Sequence, residues 1–266
     1  MSPPLSLLNF PQLVTLEAIV PPPSPSFVVI ATGNVAAVSS DGITWTQHAL
    51  PSSQNWQAIA WNGSVFCAIT GNSDVVATSP DGITWTQHVM PSIQQWQAIA
   101  WNGSVFCTVS FYSDAVATSP DGITWTQHVM PSIDGWASIA WNGSVFCAMS
   151  TNSDAVATSP DGIAWTPHVM PILQGWISLA WNGSVFCAIS SYSDVGTQTA
   201  TSPDGITWTL YVMPSIQEWW SIAWNGSMFC AIALNSDGVA TSLDGITWTQ
   251  HVMPSIQTWT AITAKG

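Results

Sequence analysis

The chain has 266 residues, with 14 acidic side chains and one basic one, Lys265, for a net charge of -13 and a pI near 4.1. With no arginine and a single lysine it cannot build a basic patch, which excludes nucleic acid as a partner and argues against a hold on anionic membrane. Charged residues are only 6% of the chain, so its polar surface is Ser, Thr, Asn and Gln with isolated carboxylates.

Residues 1–26, "MSPPLSLLNFPQLVTLEAIVPPPSPS", come first. They lack a basic n-region, and Pro11 interrupts their apolar run, so a signal peptide is not expected. No stretch has the length of a membrane span, and membrane insertion is not expected. The prolines favour an extended arm, and the strand-like "LVTLEAIV" at 13–20 is expected to dock on a neighbouring copy or on another protein.

From Phe27 onward one pattern repeats. Its first copy is partial: "FVVIATGN", then "AAVSSDGITWTQH". The second is complete and reads as four short strands: "WQAIAW", an Asn62-Gly63 hairpin, "SVFCAI", a "GNSD" loop, "VVATS", a "PDG" turn and "ITWTQHVM". Asn-Gly is the signature of a type I′ turn with positive φ at both residues. The second strand is apolar throughout, as expected for burial on both faces. Asp41, Asp81, Asp121, Asp161, Asp204 and Asp244 mark the beat, forty residues apart except for a three-residue insertion in "SYSDVGTQTATSPDG". Repeats of this length built from four strands predict a β-propeller. The chain ends on "WTAITAKG", which matches the first strand of a repeat. The expected fold is therefore all-β: a six-bladed propeller over residues 27–266, its blades four-stranded, its ring closed by Trp259–Gly266 joining the N-terminal blade.

The phrase "SPDGITWT" resembles the Asp-box, or BNR, repeat, whose usual form is S-x-D-x-G-x-T-W; here Asp and Gly are adjacent. The likeness spans residues 27–266, and the whole unit is similar to propeller repeats of phage tail, virion and bacterial surface proteins. It implies that the six Asp form turn elements between third and fourth strands, and that the box Trp packs between blades. Asp bonding its own turn and Gly supplying unusual φ fit that role.

Other residue types also recur once per repeat. Cys67, Cys107, Cys147, Cys187 and Cys230 fall one per blade, too far apart for disulfides, and are expected to be buried free thiols. The histidines (His48, His88, His128, His168, His251) lie on the outermost strand and cannot share a metal. The sequons at Asn62, Asn102, Asn142, Asn182 and Asn225 are read first as hairpin turns. The recurrent loop Asp (Asp74, Asp114, Asp154, Asp194, Asp237) order a turn or, alternatively, hold Ca²⁺. Sialidases with Asp-boxes grip their substrate with arginines, absent here, and no unique carboxylate pair stands out, so no enzyme and no cofactor are expected.

Variation concentrates on one face, in the connections between blades and the loops between second and third strands. These combine aromatics with neutral polar residues, as sugar or protein partners require. The candidate ligand-binding residues are Trp56, Trp96, Trp136, Trp176, Trp219, Trp220, Tyr112 and Tyr192; for the Trp column, packing between blades is the alternative. The expected function is a non-enzymatic, multivalent, lectin-like module binding cell-surface glycan, on a virion or extracellular surface. The rival is a purely structural virion component docked to other virion proteins, or to its own copies, through residues 1–26.

Overall fold

The computed structural model describes residues 27–41, 43–191 and 198–257. The arm 1–26 and the expected closing strand Trp259–Gly266 lie outside the described residues.

Nineteen strands form four antiparallel sheets among the described residues. β1 (Phe27–Ala31), β2 (Gly33–Ser39) and β3 (Thr46–Gln54) make a three-stranded sheet. An eight-stranded sheet follows in simple sequence: β4 (Trp56–Trp61), β5 (Phe66–Ser79), β6 (Thr86–Trp101), β7 (Phe106–Ser119), β8 (Thr126–Trp141), β9 (Phe146–Ser150), β10 (Ala155–Ser159) and β11 (Thr166–Val169). Two four-stranded sheets complete it: β12 (Trp176–Trp181) to β15 (Thr209–Val212), through β13 (Phe186–Ser190) and β14 (Gln198–Ser202); and β16 (Trp219–Trp224) to β19 (Thr249–Gln257), through β17 (Phe229–Ala233) and β18 (Ser236–Ser242).

This corrects the expectation of six separate four-stranded blades in a closed ring. The fold is propeller-like, but three repeats run together into one sheet of eight strands. The physical reason lies in the segments read as loops. Gly71 and Ser73 pair with Gln95 and Gln94, and Phe111 and Ser113 pair with Gly135 and Asp134. Single residues in the left-handed region, Asn72 (φ 60) and Tyr112 (φ 56), turn the chain so tightly that extended pairing continues on both sides. After Val169 the connection carries "ILQG" in place of "SIQQ", the strand stops, and the next sheet begins at Trp176.

The hairpin reading also needs correction. Gly63 has φ +95, but Asn62 is not among the positive-φ residues, so the turn is not type I′. Asn62 instead accepts the Ser64 and Val65 N–H groups on Oδ1, at 2.8 and 2.7 Å. Asn102, Asn142, Asn182 and Asn225 repeat the arrangement, which accounts for the Asn of every sequon.

The core is built at the junctions between repeats. Each of five buried clusters joins one repeat to the next. Cys67, Ile69, Val76 and Met90 of one repeat, for instance, meet Trp96, Phe106, Ala117 and Trp125 of its successor. The box glycine sits at the tightest point. A Cβ on Gly122 would lie 2.8 Å from Thr78 Cγ2 and 3.2 Å from Cys67 Sγ. Gly162, Gly205 and Gly245 press in the same way on Cys107 and Thr118, Cys147 and Thr158, and Cys187 and Thr201. At the first junction Val28 and Val38 take the places of Cys and Thr against Gly82.

Candidate functional site

The box turns come first, because they decide what the six Asp do. Asp81 Oδ1 accepts N–H groups from Ile83 and Thr84, both at 2.8 Å, and the Ser79 hydroxyl at 3.0 Å. Gly82 N–H bonds Ser79 Oγ, and the Trp85 indole donates to Gly82 O. Asp121, Asp161, Asp204 and Asp244 make the same contacts, and Asp41 accepts from Ile43, Thr44 and Ser39. Partial burial works to raise the pKa of Asp81, Asp121, Asp204 and Asp244, yet the converging donors outweigh it and leave them below the ordinary carboxylate value. The Ile163 N–H leads in lowering Asp161, and the Thr44 N–H leads in holding Asp41 down to about 2. These are anchored turn carboxylates.

Four of the five thiols are sealed, and Cys230 is half-buried. Burial pushes Cys67, Cys107 and Cys147 far up, and the box Asp of the next repeat (Asp121, Asp161 and Asp204 respectively) adds to it. Cys187 rises to about 12, from burial first, opposed by a contact with the Thr199 hydroxyl. Inert buried thiols of this kind are small apolar side chains. Four of the histidines bond a threonine across the sheet: His88 to Thr78, His128 to Thr118, His168 to Thr158 and His251 to Thr241. Among the described residues no three His, Cys, Asp or Glu side chains converge as metal ligands. In the loops it is the Ser before each Asp that orders the turn: Ser73, Ser113, Ser153 and Ser236 accept N–H groups from Val75, Ala115, Ala155 and Gly238.

The aromatic column is not a binding surface. Trp56, Trp96, Trp136, Trp176 and Trp219 are at most 4% exposed. Their indoles point inward: Trp136, Trp176 and Trp219 donate to the carbonyls of Ser132, Ile172 and Ser215 four residues back, and Trp56 to Ser52 and Gly33. Rings sealed in the junction clusters cannot stack on a ligand. This corrects their candidacy as platforms. Trp220 is half-buried, and Tyr192 lies outside the described residues, as does Asp194.

Among the described candidates, Tyr112 alone is well exposed, at 66%. Its backbone φ of 56 turns the side chain outward, and Phe111 packs edge-on against it with ring centroids 4.1 Å apart. Beneath them, Gly135 makes room: a Cβ there would meet Asn152 Nδ2 at 2.6 Å and Phe111 Cε2 at 3.2 Å. Asp134 is fully occupied, accepting Gly135 N–H, the Ser150 hydroxyl and the Ser153 hydroxyl. In the preceding repeat Asn55 and Gln57 crowd Gly71 in the same way. Phe111, Gly135 and Asn152 were not singled out from sequence; the signal that could have found them is the departure of "SFYSD" and "SIDGW" from the other copies. The arrangement offers an aromatic face beside carboxamides, suited to stacking and neutral hydrogen bonding.

No protein-family model matches the chain, and no curated protein resembles it in sequence. Solved structures do resemble it in fold. A streptogramin B lyase aligns with a TM-score of 0.77 at 8% identity, over 87% of this chain and 80% of its own. Virginiamycin B lyase from Staphylococcus aureus gives 0.74 at 7%, over 84% and 78%. The Myceliophteria thermophila Cps50 (Swd1) β-propeller domain gives 0.62 at 13%, over 91% and 90%. At such identities the likeness shows the fold alone, a repeat-built β-propeller; the finer Asp-box family is not shown by it. It also corrects the expectation that no enzyme is at hand: two of these propellers are lyases, so the architecture and its repetition give no ground for excluding catalysis.

Proposed function

We propose that the protein is a repeat-built binding module for neutral glycans, displayed on a virion or another extracellular surface. The observation that supports it best is the Phe111–Tyr112 corner, an exposed phenol ring packed on Phe111, whose own ring and the Asn152 carboxamide both close over Gly135. Sugars present apolar ring faces to aromatics and hydroxyls to amides. The near absence of Lys and Arg turns the site away from anionic ligands. Repetition of the corner in related form would add avidity without one tight site. The resemblance to virion and bacterial surface propellers supports the setting.

The structural reading has an observation of its own. Val89, Val129, Val169, Val212 and Val252 are each about two-thirds exposed on the outer strands, and Ile93, Ile133, Leu173, Ile216 and Ile256 match them on the connections. Exposed apolar columns of that regularity suit assembly contacts. A glycan array separates the two. Sugar-selective binding that falls roughly tenfold or more in Tyr112→Ala supports the module. Absence of sugar binding by the parent protein overturns it and favours the structural component.

A further inference from the structure

Three Trp columns run through the complete repeats, and two of them turn their indoles into the fold. Trp136 donates its N–H to Ser132 O, for instance, and Trp125 to Gly122 O. The third column, at the end of each first strand, is different. Trp61, Trp101, Trp141, Trp181 and Trp224 each pack on the Phe opposite them in the next strand, with ring centroids 4.3 to 4.9 Å apart. That contact fixes each ring. Yet none of the five indole N–H groups has a hydrogen-bond partner among the described residues, and none is buried.

The turn that follows adds two more open groups. In the Trp141 copy, Asn142 Oδ1 accepts the Ser144 N–H at 2.8 Å and the Val145 N–H at 2.7 Å. Both lone pairs of that oxygen are taken, so the carboxamide is oriented and only its NH2 remains to bond a ligand. Gly143 leaves space, with nothing within 4 Å of where a Cβ would stand. Ser144 is exposed, and its hydroxyl has no partner among the described residues. Four consecutive residues thus present an indole N–H, a carboxamide NH2 and a hydroxyl beside a half-buried ring, and the sequence repeats this corner five times. Phe146 pairs with Trp141 on one side and with Ser159 on the other, so the Asp161 turn stands at the same end of the sheet. With carboxylates there and no cation, an anionic ligand would be repelled.

We propose that the five Trp-Asn-Gly-Ser corners are equivalent binding sites for an acetamido sugar, an inference that rests on the glycan-binding reading above and adds a repeated site to it. The chemistry of the open groups selects the ligand. Apart from the serine oxygen, all of them are donors. A sugar hydroxyl brings a proton that needs an acceptor, and the corner has little to offer it. An acetamido carbonyl only accepts, and its methyl group suits the indole face. One small corner holds one sugar weakly, and a surface dense in such sugars is held through several corners at once.

Indole N–H resonances, recorded by NMR on nitrogen-labelled protein, read each corner separately, and Trp141→Phe assigns one of them. Titration with N-acetylglucosamine should move the corner signals and leave those of Trp125 and Trp136 in place. Glucose should act roughly fivefold or more weakly. Ser144→Ala removes a hydroxyl that the fold does not use. Its Tm should match the parent's, and its Trp141 signal should need roughly fivefold more N-acetylglucosamine while the other corners titrate as before. Tyr112→Ala should leave every corner titration unchanged. Corner signals that ignore N-acetylglucosamine in a protein that binds sugars through Tyr112 would overturn the proposal and leave the glycan reading standing. An equal response to glucose, or a Trp141 titration indifferent to Ser144→Ala, would also overturn it. A protein that binds no sugar at all would overturn both.

Discussion

Gly162→Ala is the sharpest test of how the repeats are held together. The substitution acts twice. Gly162 has φ +79, where an L-residue costs about 1–2 kcal/mol. Its new Cβ would also stand 2.8 Å from Thr118 Cγ2 and 3.0 Å from Cys107 Sγ, where Cys107 is fully buried and Thr118 nearly so. Overpacking of that kind costs a further ~1–3 kcal/mol. Gly143→Ala is the control, since Gly143 has φ +95 and nothing within 4 Å of the added atom. Its backbone conformation is no milder, so any excess loss in Gly162→Ala belongs to packing. For a chain of this size the excess corresponds to roughly 2–4 °C in Tm for each kcal/mol. Thr118→Ser supplies the compensating half. It removes Cγ2 and keeps the hydroxyl that bonds His128 Nε2 at 2.9 Å. In a double-mutant cycle by thermal denaturation, Gly162→Ala and Thr118→Ser should couple favourably by at least about 0.5 kcal/mol. Equal Tm losses in the two alanine variants, or a coupling of zero, would refute the reading of the box glycine as an inter-repeat contact.

Three further outcomes follow from the same contacts. The box Asp have depressed folded-state values, so their contribution is complete above the unfolded carboxylate pKa, about 4, and is lost as pH falls through the depressed ones, near 2 for Asp41; Tm scanned downward from pH 6 should stay level and then drop below about pH 4, and Asp121→Asn should flatten part of that drop. Trp176→Ala, which empties a fully buried site, should cost about 3–5 kcal/mol, read as a lower denaturation midpoint, whatever it does to ligand binding. The rim offers a swap. Ser52 donates to Gln87, and Ser92 to Gln127, across successive repeats, but the next-but-one junction has Ile172 and Leu210, both packed on an apolar cluster. Ile172→Ser or Leu210→Gln alone should lower Tm, and the double variant should lose less than the sum of the two; strict additivity would show that the pairs do not interact.

Much of this architecture is readable in the residues. A forty-residue beat, turn residues at fixed offsets and an all-apolar second strand are local signals, and the Asp, Ser and Gly of the box bond to each other within a few positions. The Cys column could be placed in the core because it sits in that apolar strand. Other features depend on partners far along the chain. Whether "GNSD" is a loop or the pivot of continuous pairing is decided by Gln94 and Gln95, and by one positive φ at Asn72, a residue type that also suits an ordinary loop. The Trp column gives the same letters whether its rings face solvent or a neighbouring repeat. The direction is set by the next sheet, which the strand itself does not specify. Likewise, the Tyr112 corner depends on Gly135, which stands out only once Phe111 and Asn152 are seen to close over it.

The sameness of the junctions has a consequence for how the chain finds its fold. If each Cys–Thr pair accepts each box glycine about equally well, repeats that are not neighbours in sequence can mate during folding, and the energy difference between right and wrong order is small. Pairing between consecutive repeats then wins largely because the loop to be closed is shortest. The position of Ile172 and Leu210 is different. An apolar pair facing a serine or glutamine would leave a polar group against hydrocarbon, so this junction rejects the other repeats and fixes one point of the order. Elsewhere a whole forty-residue unit could be excised between two box glycines and the cut faces would still match. The number of repeats is thus only weakly held by the packing that makes each of them stable.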